Sequence, residues 1–524
     1  MRNKEQTLRF LITNDGMYTY PIDEPDVKYL HRQVDVLVGT QVDTLCWNVG
    51  HTGAYWYDTK VGARWGQGLT MPRAMYDRLR NFLETMLSQG IDPLQALLDR
   101  GKEKGIKVYP SMRVSDNQHG GQLQLDPLNR EHPDWRIGEY PSHGPAAAYE
   151  TKVESYLEQL DHARPEVRQR LIDVAQELLE RYPVEGLELD FLRRPHFFKP
   201  EQAVANRHLL TDMLTQMRAI AQRAGKARGK PVELICRVWP DMSDCWNLGM
   251  DIRTWVERGL IDVLVPANNF FLALDHHVEE YVELAKHTPV KVVMAYCPVV
   301  NQFPRGAGPE FWLPRTAAGK PVNPVNLDTP YLITKEMWHA AAQMAIAKNL
   351  DGLSTFNLKW ASAARPETLS ILSEIGDPGI VAAHDKLYPY ITAESHNKPQ
   401  PLENNSVSYE LYIADDSEVV SEMLLQVYIT QTTTKDRIGF AMNGQTLRMT
   451  RRLTCPDKTD GLQGLLVDPH HFFECDLKPA RLSQGYNTLS VQLLERNPQV
   501  SSTMVVVGVN ISVKSVKSVK SVKV

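Results

Sequence analysis

The stretch VEGLELDFLRRPHFF, from Val184 to Phe198, sets Glu188 and Asp190 two residues apart in an apolar run, then adds Arg193, Arg194 and a proline. Side chains two apart on a strand share a face. Both carboxylates therefore point one way while Leu187, Leu189 and Phe191 point the other. A carboxylate facing a core needs a cation, hydrogen bonds or a proton. Arg113 and Arg237, near the ends of neighbouring apolar runs, are the cations on offer. Two carboxyl groups flanking a glycosidic bond can hydrolyse it, one as nucleophile or base and the other, with a raised pKa, as acid. Asp190 is the expected first partner and Asp241, in RVWPDMSD, the second. Asp244 and Asp116 stand in reserve, and Glu188 sits one layer deeper. The competing reading of the same residues is a structural ion-pair network without chemistry.

Such groups must be held by a scaffold, and the chain between residues 8 and 375 alternates strand-length apolar runs with helix-period segments. The strands are expected at 8–13, 43–48, 106–112, 185–191, 232–238, 261–267, 290–296 and 351–357. RPEVRQRLIDVAQELLERY carries Val167, Leu171, Val174, Leu178 and Leu179 on one helical face, and Pro165 suits its first turn. Near-continuous apolar strands indicate a parallel sheet covered on both faces. Eight of them predict a (β/α)8 TIM barrel. A doubly wound sheet is the alternative, but TNDGMYTYP after the first strand is not a phosphate-binding loop. In a barrel the strand ends build the active face. They place Asn14, Asp15, Trp47, Asn48, His51, Arg113, Asp116, His119, Arg193, Arg194, Arg237, Trp239, Asn268, Tyr296, Asn357 and Trp360 around one mouth. Amides, carboxylates and aromatic rings together suit a carbohydrate, whose hydroxyls and ring faces they match.

Beyond residue 385 the texture changes to short alternating runs punctuated by Asn-Gly and Pro-Asp, a β-sandwich pattern. The expected division is a barrel over 1–384, a β-sandwich over 385–513 and a low-complexity tail over 514–524, SVKSVKSVKSVKV closing the chain. The 524 residues carry a net charge of -5, which gives no global attraction to nucleic acid or an anionic membrane. No apolar run reaches the ~18 residues of a membrane span. The opening MRNKEQTLRFLITND lacks a secretory signal, so the expectation is a cytoplasmic protein or one whose signal has been removed. Six cysteines, at 46, 236, 245, 297, 455 and 475, show no metal or disulfide spacing, and no cofactor or metal is expected. The sandwich could bind sugar, cover the barrel or serve as the interface of a homo-oligomer.

Resemblance sharpens this reading. RPEVRQRLIDVAQELLERYPVEGLELDFLRRP resembles the bacterial glycosyl-hydrolase-like barrels related to family ten, in which a helix starting near NPEVR precedes a strand reading roughly DGIHLDDYFYP. Pro165, Glu166, Val167 and Arg168 match the helix start; Gly186, Leu189, Asp190 and Pro195 match the strand. HPDWRIGEYP, WVERGLIDVLVPANNF and DGLSTFN extend the similarity. It implies a TIM-barrel glycosidase with Asp190 as a catalytic-site carboxylate. Two positions depart: Phe191 replaces the family's second aspartate, and Arg164 stands where a helix-capping Asn is usual. The strand is also similar to the family 18 chitinase motif, but Leu192 falls at its essential acid, which argues against substrate-assisted hydrolysis.

The leading expectation is thus a glycoside hydrolase acting on a poly- or oligosaccharide. Arg113, Arg193, Arg194, His196 and Arg237 suggest an acidic sugar. The alternatives are a catalytically silent carbohydrate-binding barrel, suggested by the lost aspartate, and a polysaccharide lyase. An isomerase or aldolase would need a metal cluster or a strand-end lysine, for which Lys359 is the candidate.

Overall fold

The computed structural model describes residues 7–16, 25–51, 53–71, 74–115, 126–138, 159–269, 271–300, 333–358, 366–392, 394–402, 405–455, 470–478, 482 and 484–516. Eight parallel strands close a barrel: β1 (Arg9–Asn14), β2 (Thr44–Asn48), β3 (Lys107–Arg113), β4 (Gly186–Asp190), β5 (Glu233–Val238), β6 (Val263–Pro266), β7 (Lys291–Tyr296) and β8 (Gly352–Phe356). They run in chain order around the ring, and β1 pairs with β8 to close it. The expected TIM barrel is present, each strand within two residues of its anticipated bounds. Leu187, Leu189 and Phe191 are fully buried on the helix side, and the Phe191 ring lies tilted with its centre 5.0 Å from that of Trp255. The position where the related barrels carry a second aspartate thus faces the helix layer.

Helix Pro165–Arg181 begins with its proline in the first turn, and Arg164 gives its N-terminus no side-chain cap. Arg168 instead reaches back to the carbonyl of His162. Among the described residues no helix is long and apolar enough to cross a membrane.

Two antiparallel sheets follow the barrel. One has the order β9 (Lys386–Pro389), β16 (Val505–Lys514), β11 (Glu422–Thr430), β14 (His470–Asp476) and β13 (Met449–Cys455). The other carries β10 (Ser406–Ile413), β15 (Gly485–Glu495) and β12 (Arg437–Met442). Alternating burial along β10 and β11 gives each sheet one core face. Lys514, expected to open the tail, is the last residue of β16, and Ser515 donates to Asp385 and Ala383. The remainder of the tail, 517–524, lies outside the described residues.

Candidate active site at the barrel mouth

Register sets the chemistry. Arg113 on β3, Asp190 on β4 and Arg237 on β5 lie side by side in one row. Asp190 Oδ2 accepts from Arg237 Nη1 at 3.1 Å, and its Oδ1 accepts the backbone N–H groups of Leu192 and Arg193 at 3.0 and 3.2 Å. Both side chains of the ion pair are buried. The Arg237 guanidinium also lies 4.2 Å from the centre of the Phe356 ring, a cation–π contact across the mouth. Arg113 serves another carboxylate: it bonds Asp15, and its Nη1 meets His51 Nδ1 at 3.0 Å.

One layer deeper, Glu188 accepts from Thr13 Oγ1 at 3.0 Å and Ser111 Oγ at 2.7 Å. Burial raises its pKa, with the charge of Asp190 adding to the effect; Arg237 and the two hydroxyls pull the other way without cancelling it. Glu188 is therefore a satisfied interior group beneath the rim. Thr13, Ser111 and Phe356 carry no chemistry in sequence and become visible only through the barrel's inward face.

At the opposite side of the ring, Asn357 adopts a left-handed backbone (φ 52°), a conformation that favours Asn among non-glycine residues. Its side chain exchanges two hydrogen bonds with Asp15: Nδ2 donates to Oδ2 at 2.7 Å, and Oδ1 accepts the Asp15 N–H at 2.9 Å. Asn14 and Asn48 each accept the N–H two residues on, from Gly16 and Gly50. Those bonds shape the loops themselves. Gly16 has φ 71°, and a Cβ there would strike the carbonyl of Asn48, so glycine is required. Asn268 likewise accepts from Ala273 N–H at 3.2 Å. Its buried Nδ2, and Arg237 Nε, have no partner among the described residues.

Trp47, Trp239 and Tyr296 are buried to 2–3% exposure. Trp47 is a correction: it lies in register with Asn14 and Pro110, each one residue away from Thr13 and Ser111, which bond Glu188 inside the barrel, so by strand alternation Trp47 lies on the helix side. Arg193 is part-exposed, whereas Arg194 and His196 are buried, and burial beside Arg194 takes His196 down to about 3. Asp116, His119, Lys359 and Trp360 fall outside the described residues.

Asp241 follows β5 and precedes helix Met242–Asn247. Its Oδ2 lies 3.0 Å from His276 Nδ1 and 3.0 Å from His396 Nε2. Burial favours the protonated acid, yet the two histidines outweigh it and hold Asp241 well below the usual carboxylate range. Asp244 moves the opposite way, raised by burial and then by the charge of Asp241. His276 and His396 were missed in sequence because they come from two other loops, 35 and 155 residues away along the chain.

Residues 11–207 match the family model described as glycosyl hydrolase-like 10, which bears out the resemblance read from the strand and helix motifs. The glycosyl hydrolase DigH of Escherichia coli strain K12 is 26% identical over 222 residues, covering 34% of this chain and 46% of the relative. The match thus takes in less than half the length of that relative. Among solved structures, an α-amylase from Geobacillus thermoleovorans aligns at TM-score 0.38 and 11% identity, covering 94% of this chain and all of that one. A family GH18 chitinase from Chromobacterium violaceum aligns at 0.37 and 11%, covering 96% of this chain and 90% of that one.

Proposed function

Starting from a glycosyl-hydrolase-like barrel, we propose that this chain hydrolyses O-glycosidic bonds in an oligo- or polysaccharide, with Asp190 acting at the anomeric carbon. The observation that supports this most is the fixing of Asp190 by N–H donors, from Arg237 and two backbone amides. That fixing orients one carboxylate at the end of a barrel strand, where catalytic groups of this fold sit. Asn268 Nδ2 and Arg237 Nε supply buried donors for sugar hydroxyls. Asp241, held ionised by two histidines, is ill suited to give a proton. Half-buried Asp244, whose ionisation burial opposes, is the donor in this reading.

Arg113 and Arg237 are matched by Asp15 and Asp190, and the acidic-sugar preference is tested at the part-exposed Arg193. Arg193→Ala should then raise KM on uronic or sulfated oligosaccharides with kcat little changed; an unaltered KM removes that preference.

The main test is reducing-end release across neutral and acidic oligosaccharides. Asp190→Asn should abolish it, with circular dichroism unchanged. Asp244→Asn should slow natural substrates by 10²-fold or more while sparing aryl glycosides with a good leaving group, which need no acid. The second reading, a silent carbohydrate-binding barrel, draws on the commitment of the described rim carboxylates Asp15, Asp190 and Asp241 to nitrogen donors. Tight binding of a panel sugar without turnover would favour it. An unsaturated product absorbing in the ultraviolet would point to a lyase.

A further inference from the structure

Asp241, His276 and His396 come from three separate places: the end of β5, the loop after β6, and the segment leading from the barrel into the sandwich. Their ligand atoms nevertheless converge. Asp241 Oδ2 is 3.0 Å from each histidine nitrogen, and the two nitrogens, His276 Nδ1 and His396 Nε2, are 3.3 Å apart. Tetrahedral ligands at the ~2.0–2.1 Å of zinc–nitrogen and zinc–oxygen bonds stand roughly 3.3 Å from one another. The triangle is therefore close to three corners of a zinc tetrahedron. Hydrogen bonding alone accounts for it less well, since two N–H dipoles would have to converge on one oxygen with their nitrogens side by side.

The surroundings hold those corners in place. Asp275, next to His276, accepts from both the backbone and the side-chain N–H of Asn397, next to His396, at 2.8 and 3.1 Å. Glu394 accepts the N–H groups of Asn269 and Phe271, at the start of the loop that carries His276. Lys348 Nζ donates to the His276 carbonyl at 2.7 Å. Two ligand-bearing segments are thus pinned side by side by bonds that do not use the ligand atoms. His276 is buried, whereas the His396 side chain is 41% exposed, which leaves one side of the triangle open to water.

A second cluster, His339, Glu374 and His384, shows what such a site lacks when it is only an ion-pair network. The Glu374 oxygens there are taken by Lys335 at 3.0 Å and His339 at 2.9 Å, and His384 Nδ1 donates to the Ile380 carbonyl at 2.8 Å. No lysine or arginine is bonded to Asp241 among the described residues.

We propose that Asp241, His276 and His396 bind one divalent transition-metal ion of the zinc class, with water completing the shell, and that the ion clips the segment entering the sandwich onto the barrel rim. Two imidazoles and one carboxylate suit this class of ion and not calcium or magnesium, which take oxygen donors. The proposal does not rest on the hydrolase reading: the triangle of ligand atoms is there whether or not Asp190 is catalytic, and the test reads metal content and melting temperature alone.

The test is metal content and melting temperature of the full chain, stripped with a chelator and then dialysed against Zn2+. The wild type should retain one zinc per chain and melt several degrees higher than its stripped form. His396→Ala, at an exposed side chain, should keep the stripped melting temperature but lose both the zinc and the rise; His276→Gln should lose the zinc as well. His277→Ala, whose ring lies beside His396 without supplying a ligand atom to the triangle, should retain the zinc and the rise as the wild type does. No retained zinc in the wild type, or equal retention in the His396 and His276 variants, overturns the proposal.

Discussion

Asp190 shows how one side chain can serve both stability and chemistry. Its partner Arg237 is buried with it, so removing the carboxylate strands a guanidinium away from water. Asp190→Ala should therefore cost about 3–5 kcal/mol in urea unfolding, the usual penalty for breaking a buried pair from one side. Asp190→Asn keeps an acceptor for the Leu192 and Arg193 amides and should lose less. A cost below 1 kcal/mol for the alanine variant would show that Arg237 finds another partner. His162 supplies a pH dependence of known sign. It is buried between the carbonyls of Leu160 and Val114, and burial lowers its pKa from 6.5 to about 4. The unfolded chain takes up this proton near pH 6.5 and the folded chain only near pH 4. The stability His162 contributes is thus complete above pH 6.5 and lost as pH falls through that window, by on the order of 3 kcal/mol. Denaturant midpoints between pH 7 and 4 should fall less steeply in His162→Gln than in wild type.

At the scale of elements, the barrel strands place the rim groups, but a short connecting segment finishes the mouth. Glu394 stitches it to the loop after β6 by accepting two backbone N–H groups that would otherwise be left near the surface of a buried turn. Glu394→Ala should cost about 1–3 kcal/mol. It should also raise the hydrogen-exchange rates of the Asn269 and Phe271 amides while leaving those of β4 and β5 unchanged. Equal protection at these two amides in variant and wild type would mean the segment is held by other bonds.

Across the whole molecule, a group of polar contacts around Glu279 and Asp275 joins the sandwich to the barrel. Tyr486 donates to Glu279 at 2.9 Å, Lys348 bonds Glu279 at 3.2 Å and lies 4.7 Å from the Tyr412 ring centre, and Asn397 meets Asp275. Lys348 is buried, so its charge depends on partners from both parts. A chain ending before Tyr390 would leave Lys348, Asp275 and Asp241 without these neighbours. Such a truncation should melt lower than the full chain and should bind no zinc; an unchanged melting temperature would show that the barrel does not depend on the sandwich.

The sequence by itself determined the barrel, because each strand's near-continuous apolar run is a local property set by burial on both faces. It also determined that Glu188 and Asp190 share a face, since strand alternation needs no tertiary information. The motif from Pro165 to Pro195 was enough to place the chain beside glycosyl-hydrolase-like barrels. Partner choice was decided only by the tertiary structure. Arg113 turned to Asp15 and not to Asp190, Trp47 packed under the helices, and Asn14 and Asn48 bonded their own loops. His276 and His396 joined Asp241 from loops that no spacing rule connects. The physical reason is that the periodicity of burial is written residue by residue. The pairing of charges at a rim depends on which loops closure of the barrel and docking of the sandwich bring within about 3 Å, the reach of a hydrogen bond.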